Sequence, residues 1–138
     1  MKYVSGIYAL NVPCSLKTCG DWHSASLNWH SLSIKESRGT LWGDYGIEKN
    51  ISIPCHDESF NVANHIRALL DLLVDGSFSY AQGMKRDFIC NDSYNEEIFK
   101  LIYKAKDNPN WNQIDIFLHK EYGREWRIWK NGRINIAE

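Results

Sequence analysis

The chain has 138 residues, with 16 Lys plus Arg against 17 Asp plus Glu and 43% hydrophobic residues. That is the size and balance of one ordinary soluble domain, able to bury roughly two-thirds of its unfolded surface without disulfides or metal as obligatory staples. A formal charge of −1 excludes a generally polycationic nucleic-acid binder and a long acidic tail.

The apolar run Ala68 to Val74 is interrupted by Asp71, and no stretch approaches the ~20 apolar residues of a membrane-spanning helix. The first residues mix Ser5, Gly6, Tyr8 and Asn11 into their apolar positions, unlike the unbroken hydrophobic region of a secretory signal. A cytoplasmic location without membrane contact is the resulting expectation. Cys14, Cys19, Cys55 and Cys90 are few for a disulfide scaffold and read as reduced thiols. Six Trp and seven Tyr suit a core with polar rims and a partner surface equally well.

Along the chain, Lys2 to Val12 alternates with Val4, Tyr8, Leu10 and Val12 on one face, which predicts a half-buried strand closed by Pro13. Leu27 to Ile34, Leu41 to Tyr45 and Ile47 to Ile53 predict further extended segments. From residue 60 the period changes. Val62, Ile66, Leu69, Leu70 and Leu73 form one helical stripe, with Asn61 able to cap its start and Gly76 placed to end it. Tyr80 to Phe88 predicts a shorter helix, and Ser93 with Glu96 is a capping-box pattern ahead of a helix closing near Asp107. Asn110 with Gln113 repeats that pattern before a helix fading near Gly123; Trp126, Ile128, Ile134 and Ile136 then suggest a strand or hairpin about Asn131 and Gly132. With no repeat or linker, residues 1–138 form a single α+β domain: an N-terminal antiparallel sheet packed against C-terminal helices.

Several groupings carry chemical potential. Cys14, Cys19 and His23 are candidate metal ligands on the spacing of the two cysteines, although isolated cysteines are more often small buried hydrophobes. Asp21, His23 and His30 are the candidate acid, base and ligand residues of an alternative metal-assisted hydrolase or nuclease; Gly20 and Asp21 read equally as a turn. Phosphate-cradling glycine loops and nucleophile elbows are missing from the sequence. The favoured reading is therefore non-enzymatic and needs no cofactor. Asp71 lies one helical turn from Arg67, as an ordinary surface pair would, while Asn64 and His65 fit a satisfied polar network at a sheet–helix junction.

His119 to Arg133 is the one basic aromatic segment, with Lys120, Arg124, Arg127, Lys130 and Arg133 against Glu121 and Glu125. Trp126, Arg127, Trp129 and Lys130 are the candidate partner-binding residues, with Trp22 and Trp42 as second choices. A protein partner is favoured over nucleic acid, because the overall charge offers little attraction to phosphates.

The strings YVSGIYALN (Tyr3 to Asn11), GDWH, GDYGIE, NVANHIRALLDLL and AQGMKRDFIC resemble a group of small bacterial proteins of mobile or host-defence loci, found beside toxin genes. The resemblance implies an antitoxin-like or accessory role exerted on a toxin or effector, and brings no catalytic residue with it. A phage-encoded inhibitor of a bacterial defence system is a third expectation, since it too acts by occupying a surface.

Overall fold

The structure, a computed structural model, describes residues 1–18 and 21–137, with side chains described up to residue 133. Four strands, β1 (Lys2–Val4), β2 (Ile34–Glu36), β3 (Ile47–Ser52) and β4 (Ser59–Ala63), form one sheet in the order β2-β1-β4-β3. β1 runs antiparallel to β2, with Tyr3 opposite Lys35, and β3 antiparallel to β4, with Ile47 opposite Ala63. β1 and β4 are parallel, Val4 beside Val62. The fold is α+β as expected, with a mixed sheet where an antiparallel one was expected.

The predicted first strand stops at Val4. Gly6 takes φ +64°, a left-handed conformation that costs glycine little, and the chain turns into the short helix α1 (Gly6–Ala9). Ala9, Leu10 and Val12 still enter the core, from a helical turn and the loop after it.

The next helix, α2 (His65–Val74), is the centre of the molecule, with nine of its ten residues buried. Its stripe of Ile66, Leu69, Leu70 and Leu73 packs inward as the spacing predicted. Its start lies three residues later than predicted: Val62 belongs to β4, and the cap is Asn64, whose Oδ1 accepts the Arg67 backbone N–H at 2.8 Å. Because α2 is surrounded on nearly every side, its polar residues also need partners inside the protein.

The segment Tyr80 to Phe88 divides into two single turns, α3 (Phe78–Ala81) and α4 (Met84–Asp87). The capping box at Ser93 is not made; Asn91 Oδ1 accepts the Ser93 N–H at 2.9 Å, and a 3-10 turn leads into α5 (Asn95–Tyr103). α6 (Trp111–Tyr122) ends at Gly123 as predicted, but the Asn110 side chain donates to the Val74 carbonyl at 3.0 Å rather than capping its own helix.

The largest departure follows Gly123, where the expected hairpin is a helix, α7 (Arg124–Ala137). Trp126, Trp129, Lys130 and Arg133 recur at helical offsets and bring both tryptophans against α5 and α6. Trp126 and Trp129 stack with centroids 5.7 Å apart, Phe99 meets Trp126 at 5.2 Å, and Tyr103 meets Trp129 at 5.6 Å. This aromatic cluster is worth more buried than an alternating strand would gain by leaving half of it in water. No described helix is long and apolar enough to cross a membrane.

Candidate functional site

Three polar constellations arise from this packing. The first is centred on Arg67, expected at the surface and found wholly buried. Its Nε donates to Asp71 Oδ1 at 3.1 Å, and Nη1 donates to the Gly43 and Tyr45 carbonyls, both at 2.7 Å. Nη2 reaches Tyr3 Oη at 3.1 Å and Thr40 Oγ1 at 3.3 Å. These contacts use all five donors of the guanidinium. Asp71 Oδ2 accepts from Tyr3 Oη at 2.7 Å and Ser5 Oγ at 2.6 Å. Burial first, and then the Asp71 carboxylate, push the Tyr3 phenol far above its ordinary value, so it stays a donor. The network is closed. It ties β1 and the 43–45 turn to α2 and leaves no guanidinium valence for a ligand.

The second lies at the start of α2. His65 is fully buried, and its Nε2 meets the Val12 carbonyl at 2.8 Å. A carbonyl only accepts, so Nε2 carries the proton and Nδ1 is the bare nitrogen; Thr18 Oγ1 donates to it. The satisfied network expected at Asn64 and His65 is present, completed by residues far away in sequence. Cys14 is half-buried. Burial pushes its thiol up, but the influence of His65 and of the Leu16 backbone outweighs this and holds it below its ordinary value.

The third is on α6 and α7. Trp126 is completely buried, and its Nε1 donates to Asp115 Oδ1 at 2.8 Å. Lys130 Nζ donates to the same oxygen at 2.9 Å and lies 3.3 Å from His119 Nε2. Burial raises the Asp115 carboxyl, yet the hydrogen bonds from Lys130 and Trp126 bring it below its usual range.

The residues expected to form one docking face therefore separate. Trp126 is interior, Trp129 is half-buried in the same stack, and Lys130 is held by Asp115. Trp42 is buried with its Nε1 on the Leu101 carbonyl at 2.8 Å, and half-buried Trp22 donates to the Tyr80 carbonyl at 2.6 Å. An indole whose ring is packed and whose N–H is bonded inside the protein has little to offer a partner. Only Arg127 of the six is exposed. Beside it on the outer face of α7 stand exposed Arg124 and Ile128, the last 57% exposed, while Glu125 is drawn toward α5 by Asn95 at 2.6 Å. Neither Arg124 nor Arg127 takes part in an ion pair among the described residues.

Asp21, His23 and His30 are all exposed, and no described hydrogen bond joins them. His23 begins a 3-10 turn and sets its ring against Trp22 and Tyr80, while the His30 backbone N–H bonds Asn28. Of the metal candidates, Cys14 is half-buried and His23 exposed, with no described hydrogen bond between them, and Cys19 lies outside the described residues. Among the described residues no three His, Cys, Asp or Glu are arranged to hold an ion. The sequence reading missed Tyr3, Ser5, Thr18 and Thr40, whose partners are remote; Tyr3 and Asp71, for example, are 68 residues apart. Compared with known protein families, curated proteins and solved structures, the chain matches none.

Proposed function

We propose that this chain is a cytoplasmic regulatory binding protein, antitoxin-like in action, that masks a toxin or effector through the outer face of α7. The observation that carries the reading is the pairing of Arg124 and Arg127, exposed and outside every described ion pair, with the exposed Ile128 next to Arg127 and one turn beyond Arg124. Arg124, Arg127 and Ile128 are spaced three and four apart, so they share one face of the helix. Arginine beside an exposed aliphatic side chain suits an interface with an acidic rim and a small apolar socket. The partner is accordingly a protein bearing carboxylates around an apolar depression.

The aromatic cluster supports this role from behind. Trp126 and Trp129 fix α7 on α5 and α6, so the outer face is presented by an already ordered helix and little conformational entropy is lost on docking. The test is co-expression with the product of the adjacent gene. The wild-type chain should relieve its toxicity and co-purify with it, whereas a chain carrying Arg124→Glu and Arg127→Glu should do neither while keeping its thermal stability. Undiminished toxicity together with no co-purification by the wild type would refute the proposal.

A further inference from the structure

The α7 face makes no use of the cleft between α3 and α6, whose volume of about 380 Å³ lies in the range of small-molecule sites. Gln113, Ile116, Phe117 and Lys120 stand at offsets of three, four and seven along α6, so one stripe of the helix forms a whole wall. Phe78 and Gln82 close the other side, from α3 and the residue that ends it. The floor is aromatic: the Phe117 ring is buried, and half-buried Phe78 lies against it with centroids 6.0 Å apart and planes inclined by 38°. Ile116 is 54% exposed, an aliphatic side chain left largely uncovered at the edge of this floor.

Glu121 fixes the shape. Its Oε2 accepts the Gly83 backbone N–H at 3.1 Å and its Oε1 that of Lys85 at 3.2 Å, which pins the corner between α3 and α4 to α6. Both carboxylate oxygens are thereby occupied. The cation of the cleft is not: Lys120 is exposed and takes part in no ion pair among the described residues. The side-chain amides of Gln82 and Gln113 are also exposed and enter no hydrogen bond among the described residues. An aromatic floor with two free amides and one uncompensated ammonium at its mouth has the composition of a small-ligand site.

We propose that this cleft binds a small, flat aromatic acid carrying a single carboxylate. The ring system lies on Phe78 and Phe117 with one edge against Ile116, on side chains that the fold already holds in place. The carboxylate oxygens accept N–H donation from Lys120 and from the Gln82 and Gln113 amides. The charges in the wall set the charge of the ligand. Lys120 favours an anion over a neutral or cationic ring, while the Glu121 carboxylate, lining the same cleft, disfavours a second negative charge. A phosphate monoester or a dicarboxylate therefore fits less well than a monocarboxylate. Because the ammonium is solvated, it discriminates among ligands more than it adds affinity, which comes from burial of the ring.

The test is an NMR titration of the full chain with naphthoate, read at the Ile116 Cδ1 methyl and the side-chain amide signals of Gln82 and Gln113. Saturable shifts of these signals are expected, with a Kd of about 1 mM or tighter. Neutral naphthylmethanol and doubly charged naphthalenedicarboxylate should each bind about threefold or more weakly than naphthoate. Lys120→Glu, at an exposed position, should weaken naphthoate about fivefold or more and admit cationic naphthylmethylamine in its place. Ile116→Gln, which removes apolar contact without adding charge, should weaken naphthoate and naphthylmethanol alike. Phe78→Ala should abolish binding of both; if that chain does not fold, Ile116→Gln decides. Absence of saturable shifts at the three signals, or binding indifferent to Ile116→Gln, would overturn the site. Naphthylmethanol binding as tightly as naphthoate, or naphthoate binding unchanged by Lys120→Glu, would overturn the anionic ligand, and tighter binding of the dicarboxylate would overturn the single charge.

Discussion

Arg67 and Asp71, one turn apart on α2, form an ion pair 3.1 Å long with side chains 0% and 6% exposed. Pairs at this spacing usually lie on a helix surface and contribute a few tenths of a kcal/mol. This pair cannot be a surface ornament, because removing either member strands the other charge inside the protein. Asp71→Asn or Arg67→Met is expected to cost about 3–5 kcal/mol in chemical denaturation. Replacing both with apolar residues of similar volume should recover much of the loss, since the remaining charge then disappears with its partner. A double replacement as unstable as the sum of the singles would show that the contacts to Gly43, Tyr45 and Tyr3 matter more than the pairing.

Gly46 sits against the same network with φ +73°. A Cβ placed there would lie 2.8 Å from Arg67 Cβ and 2.9 Å from Asn64 Oδ1, which caps α2. Gly46→Ala should therefore combine backbone strain with displacement of the cap, for a loss of about 1–3 kcal/mol. Thermal unfolding of Gly46→Ala beside Gly39→Ala separates the two effects: Gly39 also has a positive φ, but nothing lies within 4 Å of its added Cβ.

The indole of Trp126 and the guanidinium of Arg127 are neighbours in sequence with opposite duties. Trp126→Ala should cost about 3–5 kcal/mol by emptying the centre of the α5–α6–α7 cluster. Arg127→Glu, at an exposed position, should change stability by no more than about 0.5 kcal/mol. Equal losses in the two variants would contradict the separation of packing and docking residues on α7.

Asp115 gives the α6–α7 junction a defined response to acid. Its carboxyl is held below the usual value, so the group binds fewer protons folded than unfolded through this range. Its contribution is fully present above the unfolded value of about 3.9 and is lost as pH falls through the lower folded value. A plot of unfolding midpoint against pH should show a decline in acid that is shallower for Asp115→Asn, with the two curves converging at the lowest pH. Parallel curves would mean that Lys130 and Trp126 do not depend on the carboxylate charge.

Much of the architecture was legible in the sequence because it is written in local periodicity. The stripe from Ile66 to Leu73, the end of α6 at Gly123 and the division between strands and helices all depend on neighbours a few residues apart. Where tertiary contacts outweighed local pattern, the reading diverged. Lys2 to Val12 alternates well enough for a strand, but the left-handed turn at Gly6 diverts it. Trp126 and Ile128 fit a period of two, yet the aromatic rings of Phe99 and Tyr103 favour a period nearer four. The site was less legible still. Nothing around Thr18 announces that its hydroxyl meets His65, and Trp126 and Trp129, which looked suited to a partner, are needed to hold α7 in place. Composition supplies the aromatic rings without saying which way they face.

The central claim is docking through Arg124, Arg127 and Ile128, and titration calorimetry of the purified chain against the purified product of the adjacent gene tests it most directly. The account predicts measurable binding that weakens tenfold or more, by about 1.4 kcal/mol or greater, when Arg124 and Arg127 are both changed to Glu. Binding of equal strength by the wild-type and charge-reversed chains would contradict it.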